Sequence, residues 1–120
     1  MATNDACVTI VPYFKIHAGK IDDVKKICVA MVAKTEEESK CLFYGFSFSG
    51  DELHCREGYS DGAGALAHFD NVGDLLKTLL ENTDLKKLEI HGTANEIDPM
   101  REPLSDLNPQ FFTLEYGFRR

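Results

Sequence analysis

The side chains in this sequence best suited to moving protons near neutral pH are its four histidines, His17, His54, His68 and His91. Any of them could serve as a general base. His68 and His91 are the candidates for the catalytic base. Held in an apolar pocket, such a base would deprotonate a phenol or quinol and leave an electron-rich anion able to pass one electron to oxygen. That chemistry needs neither metal nor cofactor, and none is expected here. The alternative places His17, His54 and His91 at the rim of a sheet and gives His68 a hydrogen bond to a neighbouring carbonyl. Arg56 could hold an anionic or enolate oxygen in a low-dielectric cavity, or pair with Glu57, Glu89 or Glu115 across a sheet. Tyr13 and Tyr44 could donate to a substrate carbonyl, or simply pack. Glu57 could bind substrate or bridge a subunit seam. The candidate substrate-binding residues are thus Tyr13, Tyr44, His54, Arg56 and Glu57.

Other chemistries find no support. Cys7, Cys28, Cys41 and Cys55 lack the close spacing of a zinc site, and each sits in an apolar segment, so they read as reduced core residues. No nucleophile elbow, phosphate-binding loop or dinucleotide-binding glycine pattern occurs. The net charge of −7 is spread along the chain, and basic residues cluster only in pairs such as Lys25-Lys26 and Lys86-Lys87. A nucleic-acid partner and an anionic membrane surface are therefore not expected. No stretch approaches the ~20 apolar residues of a membrane span, and Met1-Ala2-Thr3-Asn4-Asp5 has no signal-peptide character. A cytoplasmic location is expected.

The elements that must position these residues follow from periodicity. Alternation from Cys7 to His17 predicts a strand, with Pro12 marking an edge, bulge or break. Ile21, Val24, Ile27, Cys28, Met31 and Val32 recur at helical spacing, predicting a helix from Lys20 to Glu38. Cys41 to Ser49 and Glu52 to Tyr59 form a hairpin around Ser49-Gly50-Asp51. Ser60 and Asp61 cap a helix from Gly62 to Phe69, a break falls near Asn71-Val72-Gly73, and the helix resumes at Asp74. A fourth strand fits Leu85 to Asn95, an interrupted helix Glu96 to Leu107, and a fifth strand Gln110 to Phe118.

The order predicts an α+β fold, a ferredoxin-like split β-α-β sheet with helices on one face only. The other face would carry Thr9, Val11, Tyr13, Cys41, Phe43, His54, Arg56, Glu89, His91, Phe111 and Thr113. That mixture is too apolar for free water and too polar for a dry core, so a homodimer paired through it is expected. At 120 residues the chain reads as one domain.

Glu38-Ser39-Lys40-Cys41-Leu42-Phe43-Tyr44, Arg56-Glu57-Gly58-Tyr59 and Ala65-Leu66-Ala67-His68-Phe69 together resemble the antibiotic biosynthesis monooxygenase (ABM) domain. The family carries an acidic residue, a Cys and a Tyr in the first segment, a Glu late in the third strand, and a His on the following helix, here His68. The resemblance covers about residues 7–95, with 96–120 as a C-terminal helix-and-strand extension. It implies a dimeric α/β barrel whose members include metal- and flavin-free oxygenases of quinols and polyketide aromatics, haem degraders, and isomerases of small metabolites. Family oxygenases often place a Trp in the pocket, and this chain has none. The function expected is a cofactor-independent monooxygenase acting on a small aromatic, phenolic or quinol-like substrate. Open alternatives are a non-catalytic dimer binding a small ligand, or an isomerase using His68 or His91 as base.

Overall fold

Strand β1 (Val8–Ile16) alternates buried Val8, Ile10, Pro12, Phe14 and Ile16 with more exposed Thr9, Val11, Tyr13 and Lys15, and so presents one dry face. It leads through Gly19, which takes a left-handed conformation, into helix α1 (Ile21–Thr35). Asp22 and Asp23 in the first turn and Lys34 in the last complement the helix dipole. Hairpin β2 (Cys41–Ser49) and β3 (Glu52–Tyr59) turns at Gly50, whose φ of 61° suits glycine. Helix α2 (Gly62–Asn82) then returns to β4 (Thr83–Gly92). The computed structural model describes residues 2–120.

The sheet order is β2-β3-β1-β4-β5, with the first four strands antiparallel and β5 (Gln110–Thr113) added parallel to β4. This is the ferredoxin-like α+β arrangement, with α1 and α2 packed on one face. Two clusters fill the space between the layers. One gathers Val8, Ile10, Tyr59, Ile90, Ile97 and Met100, and the other Phe14, Val24, Met31, Leu53, Val72 and Leu79. Each large side chain buried there stabilises the fold by about 1.5–3 kcal/mol relative to exposure.

Of the edge, bulge or break expected at Pro12, the structure shows the bulge: Pro12 lies in the central strand, and the register of β1 against β4 shifts between Tyr13 and Phe14. Other sequence expectations are corrected. Helix α2 runs unbroken through Asn71-Val72-Gly73, because the burial of Val72 and Leu79 outweighs the weak helix propensity of one glycine. After β4 the interrupted helical segment expected over Glu96 to Leu107 takes the form of the short α3 (Ala94–Ile97) and two 3-10 turns at Asp98–Met100 and Ser105–Leu107. Pro99 and Pro103 lack the N–H groups that a continuous helix needs. Cys41 and Phe111 turn toward the helix side, where they pack on the first cluster, instead of lying on the open face. For Cys41 the cause is the register shift between Cys41 and Phe43.

Helix α2 starts where the site will be built. The Asp61 side chain accepts from Gly64 N–H at 2.7 Å and is itself held by Lys40 Nζ at 2.8 Å. Gly62 N–H donates to Glu96 Oε1 at 2.9 Å, and a Cβ on Gly62 would stand 2.1 Å from the Glu96 carbonyl oxygen. Only glycine lets these two segments approach so closely.

Candidate active site

The face of β3 turned to the helices carries Leu53, Cys55, Glu57 and Tyr59. A carboxyl group thereby points into a hydrocarbon layer. Glu57 is only 6% exposed, and its Oε1 accepts a hydrogen bond from the Tyr59 hydroxyl at 2.7 Å. Burial raises its pKa from 4.5 to about 7; the nearby Glu38 charge adds to the rise, while hydrogen bonds from Tyr59 and Cys55 oppose it. Glu57 is therefore an acid that can hold its proton near neutral pH. Burial likewise drives Tyr44, Tyr59 and Cys55 strongly toward their neutral, protonated forms.

His68 reaches the same place from two turns into α2, also buried at 2% exposure. Its Nδ1 lies 2.9 and 3.1 Å from the two Glu38 oxygens, so Nδ1–H donates to that carboxylate. Nε2 is left to face Glu57 Oε1 at 3.5 Å. The rings of Tyr44 and Tyr59 each stand 5.1 Å from the imidazole. Burial lowers the His68 pKa, and the Glu38 hydrogen bond partly offsets that effect. Burial thus favours the uncharged forms of both His68 and Glu57, which sets a free acceptor nitrogen beside a proton-bearing acid.

Glu38 belongs to a turn beyond the end of α1, secured by Glu38 N–H to Thr35 O at 2.9 Å and Cys41 N–H to Glu38 O at 3.2 Å. Its carboxylate also accepts from Asn71 Nδ2 at 2.8 Å. With 12% of its side chain exposed, Glu38 borders an open cleft of about 190 Å³ beside Cys41, Phe43 and Tyr44. The chain Glu57, His68, Glu38 therefore runs from the interior to the surface.

Glu57, His68 and Tyr44 form the polar end of a cavity of about 40 Å³, walled otherwise by apolar groups including Phe14, Met31, Leu76, Leu79, Leu88 and Leu107. Such a volume holds roughly three waters. The arrangement can deliver and remove a proton in a small, largely apolar slot of low dielectric.

Of the residues singled out from sequence, the structure brings together His68, Tyr44 and Glu57. It places His91, Tyr13, His54 and Arg56 on the opposite face of the sheet. There His54 Nδ1 bonds to Pro12 O at 2.8 Å and its ring stacks on Tyr13 at 4.5 Å, while Arg56 lies over Phe43 at 5.2 Å. His91 bonds Glu89 Oε1 at 2.9 Å and stacks on Phe112 at 4.7 Å. Sequence reasoning missed Glu38, Tyr59 and Asn71 as site members. Tyr59 sits two residues after Glu57 on one strand face, and Asn71 three after His68 on one helix face, spacings that signal shared faces.

No family model matches the sequence, and no curated protein matches it. Among solved structures, MupZ from Pseudomonas fluorescens is 38% identical, with a TM-score of 0.93 over 100% of this chain and 94% of that one. A candidate antibiotic biosynthesis monooxygenase from Nitrosomonas europaea has a TM-score of 0.69 at 14% identity, covering 77% of this chain and 94% of its own. Another from Caulobacter crescentus scores 0.63 at 17% identity, over 72% and 86%. The latter two show the shared fold, and the MupZ match adds kinship across the full chain. The chain belongs to the same family as MupZ and shares its fold with candidate antibiotic biosynthesis monooxygenases.

Proposed function

We propose that this protein is an enzyme of the ABM type that transfers protons inside its apolar slot, acting as a cofactor-independent monooxygenase on a small phenolic or quinol-like substrate. The observation that carries the reading is the buried pair of His68 Nε2 and Glu57 Oε1, 3.5 Å apart, at the polar end of that slot. In this mechanism His68, held in its Nδ1–H form by Glu38, accepts the phenolic proton at Nε2. The phenolate gives one electron to oxygen, and recombination forms a carbon–oxygen bond at the ring. Loss of water leaves a quinone, so one oxygen atom enters the product, the other leaves as water, and the substrate supplies all the electrons. Glu57, neutral below about pH 7, donates to the departing oxygen.

Oxygen uptake with a dihydroxynaphthalene is the direct test. Uptake that collapses in His68→Ala supports the reading; full turnover in that variant removes His68 as the base. A second reading, an isomerase, is favoured by the same neutral acid beside the same base, since proton removal at one carbon and delivery to another needs no oxygen. Deuterium incorporation from solvent into product, without oxygen uptake, distinguishes it.

The open sheet face is proposed to pair with a second copy. Tyr13 is 43% and Phe112 37% exposed there, beside Val11 and Phe43, an aromatic patch suited to burial against itself. A stable monomer in a mass measurement at dilute concentration would rule this pairing out.

A further inference from the structure

We infer that Asn71 is a positioning residue that fixes the tautomer of His68 through Glu38. This rests on the reading of His68 as the proton acceptor. Asn71 lies three residues beyond His68 on α2, on the same side of the helix. Its amide Nδ2 donates to Glu38 Oε2 at 2.8 Å and to the Lys34 carbonyl at 3.2 Å. Both neighbours are acceptors, so the chemistry of the partners sets which end of the amide faces them. Lys34 Nζ closes the loop by donating to the Asn71 carbonyl at 2.8 Å. The end of α1 and the middle of α2 are thereby stitched together at the level of the imidazole.

The stitch matters because the Glu38 carboxylate, unlike its backbone, is held by little else. Glu38 stands on a turn whose neighbours Glu36 and Glu37 are exposed. Among the described residues, its carboxylate takes hydrogen bonds from His68 and Asn71. With both donors in place, the carboxylate presents its two oxygens to Nδ1. The proton is then pinned on Nδ1 and the lone pair of Nε2 is aimed at Glu57 and the slot. Without Asn71 the carboxylate has a single anchor, and the imidazole can turn its proton to Nε2, the form unable to accept one from substrate. A neutral amide suits the task, for it fixes the carboxylate without cancelling the charge that holds Nδ1–H.

The test reads the tautomer directly and needs no substrate. Nitrogen-15 spectra of the histidine-labelled full chain should show His68 protonated at Nδ1 and bare at Nε2. Glu38→Ala should mix the two forms. Asn71→Ala should reduce the preference for Nδ1–H by about tenfold, the loss of one hydrogen bond to a charged group, while the amide spectrum remains dispersed. If Asn71→Ala does not fold, Asn71→Gln displaces the same amide by one methylene and is read in the same way. If Glu38→Ala mixes the tautomers and the Asn71 variant does not, the inference is overturned and the Glu38–His68 reading stands. If Glu38→Ala leaves the tautomer unchanged, the reading itself fails and takes the inference with it.

Discussion

Replacing Glu57 by Gln should remove the stability loss that Glu57 imposes as pH rises through neutrality. The carboxyl is buried and its pKa is raised from 4.5 to about 7. A group of this kind keeps its proton in the folded state after the unfolded chain has released it. Between those two pH values the native state therefore binds more protons. The stability contributed by Glu57 is fully present below the unfolded value and is lost as pH rises through about 7. The rise in pKa corresponds to about 3 kcal/mol across that window. Gln cannot titrate, so Glu57→Gln should become more stable relative to wild type by about 3 kcal/mol on going from about pH 4.5 to about pH 8. Urea unfolding followed by far-ultraviolet circular dichroism measures this, since the chain has no Trp to report by fluorescence. Groups remote from the site cancel in the difference between the two proteins. His68 runs in the opposite sense, because its pKa is lowered by burial and its contribution to stability grows as pH rises toward its unfolded value. A difference between wild type and variant that stays flat within about 1 kcal/mol across the window would refute the buried-acid reasoning.

Tyr59→Phe removes the donor at 2.7 Å from Glu57. Losing a hydrogen bond to a carboxylate should raise the Glu57 pKa by about one to two further units, read by carbon-13 titration of its carboxyl. Gly62→Ala places a methyl against the Glu96 carbonyl; a loss of about 1–3 kcal/mol in thermal unfolding is expected, and a neutral result would mean that the segments are not so closely apposed. Leu79→Ala, at a fully buried wall of the slot, should lower stability by about 2–5 kcal/mol. The same variant should bind a small apolar probe more tightly than wild type, which calorimetry can check.

The sequence by itself determined the layers of this protein. Alternation in β1, β2 and β3 and the three-and-four spacing of α1 are local consequences of backbone geometry, so they could be read residue by residue. The segments that hold Glu38 and Tyr44, Glu57, and His68 also carry the family resemblance locally. Local rules misjudged Gly73 and Cys41, because packing across the sheet and a register shift are set by distant partners. The site lay further out of reach. Glu38 and His68 are 30 residues apart in the chain, and Glu38 and Asn71 are 33 apart. No spacing rule connects a turn after α1 with the inner face of α2. Which histidine meets a carboxylate in a dry cavity depends on which sheet face the helices cover. The hydrophobic effect makes that choice only when the whole chain collapses, turning Glu57 inward with His68 and leaving His54 and His91 on the other side.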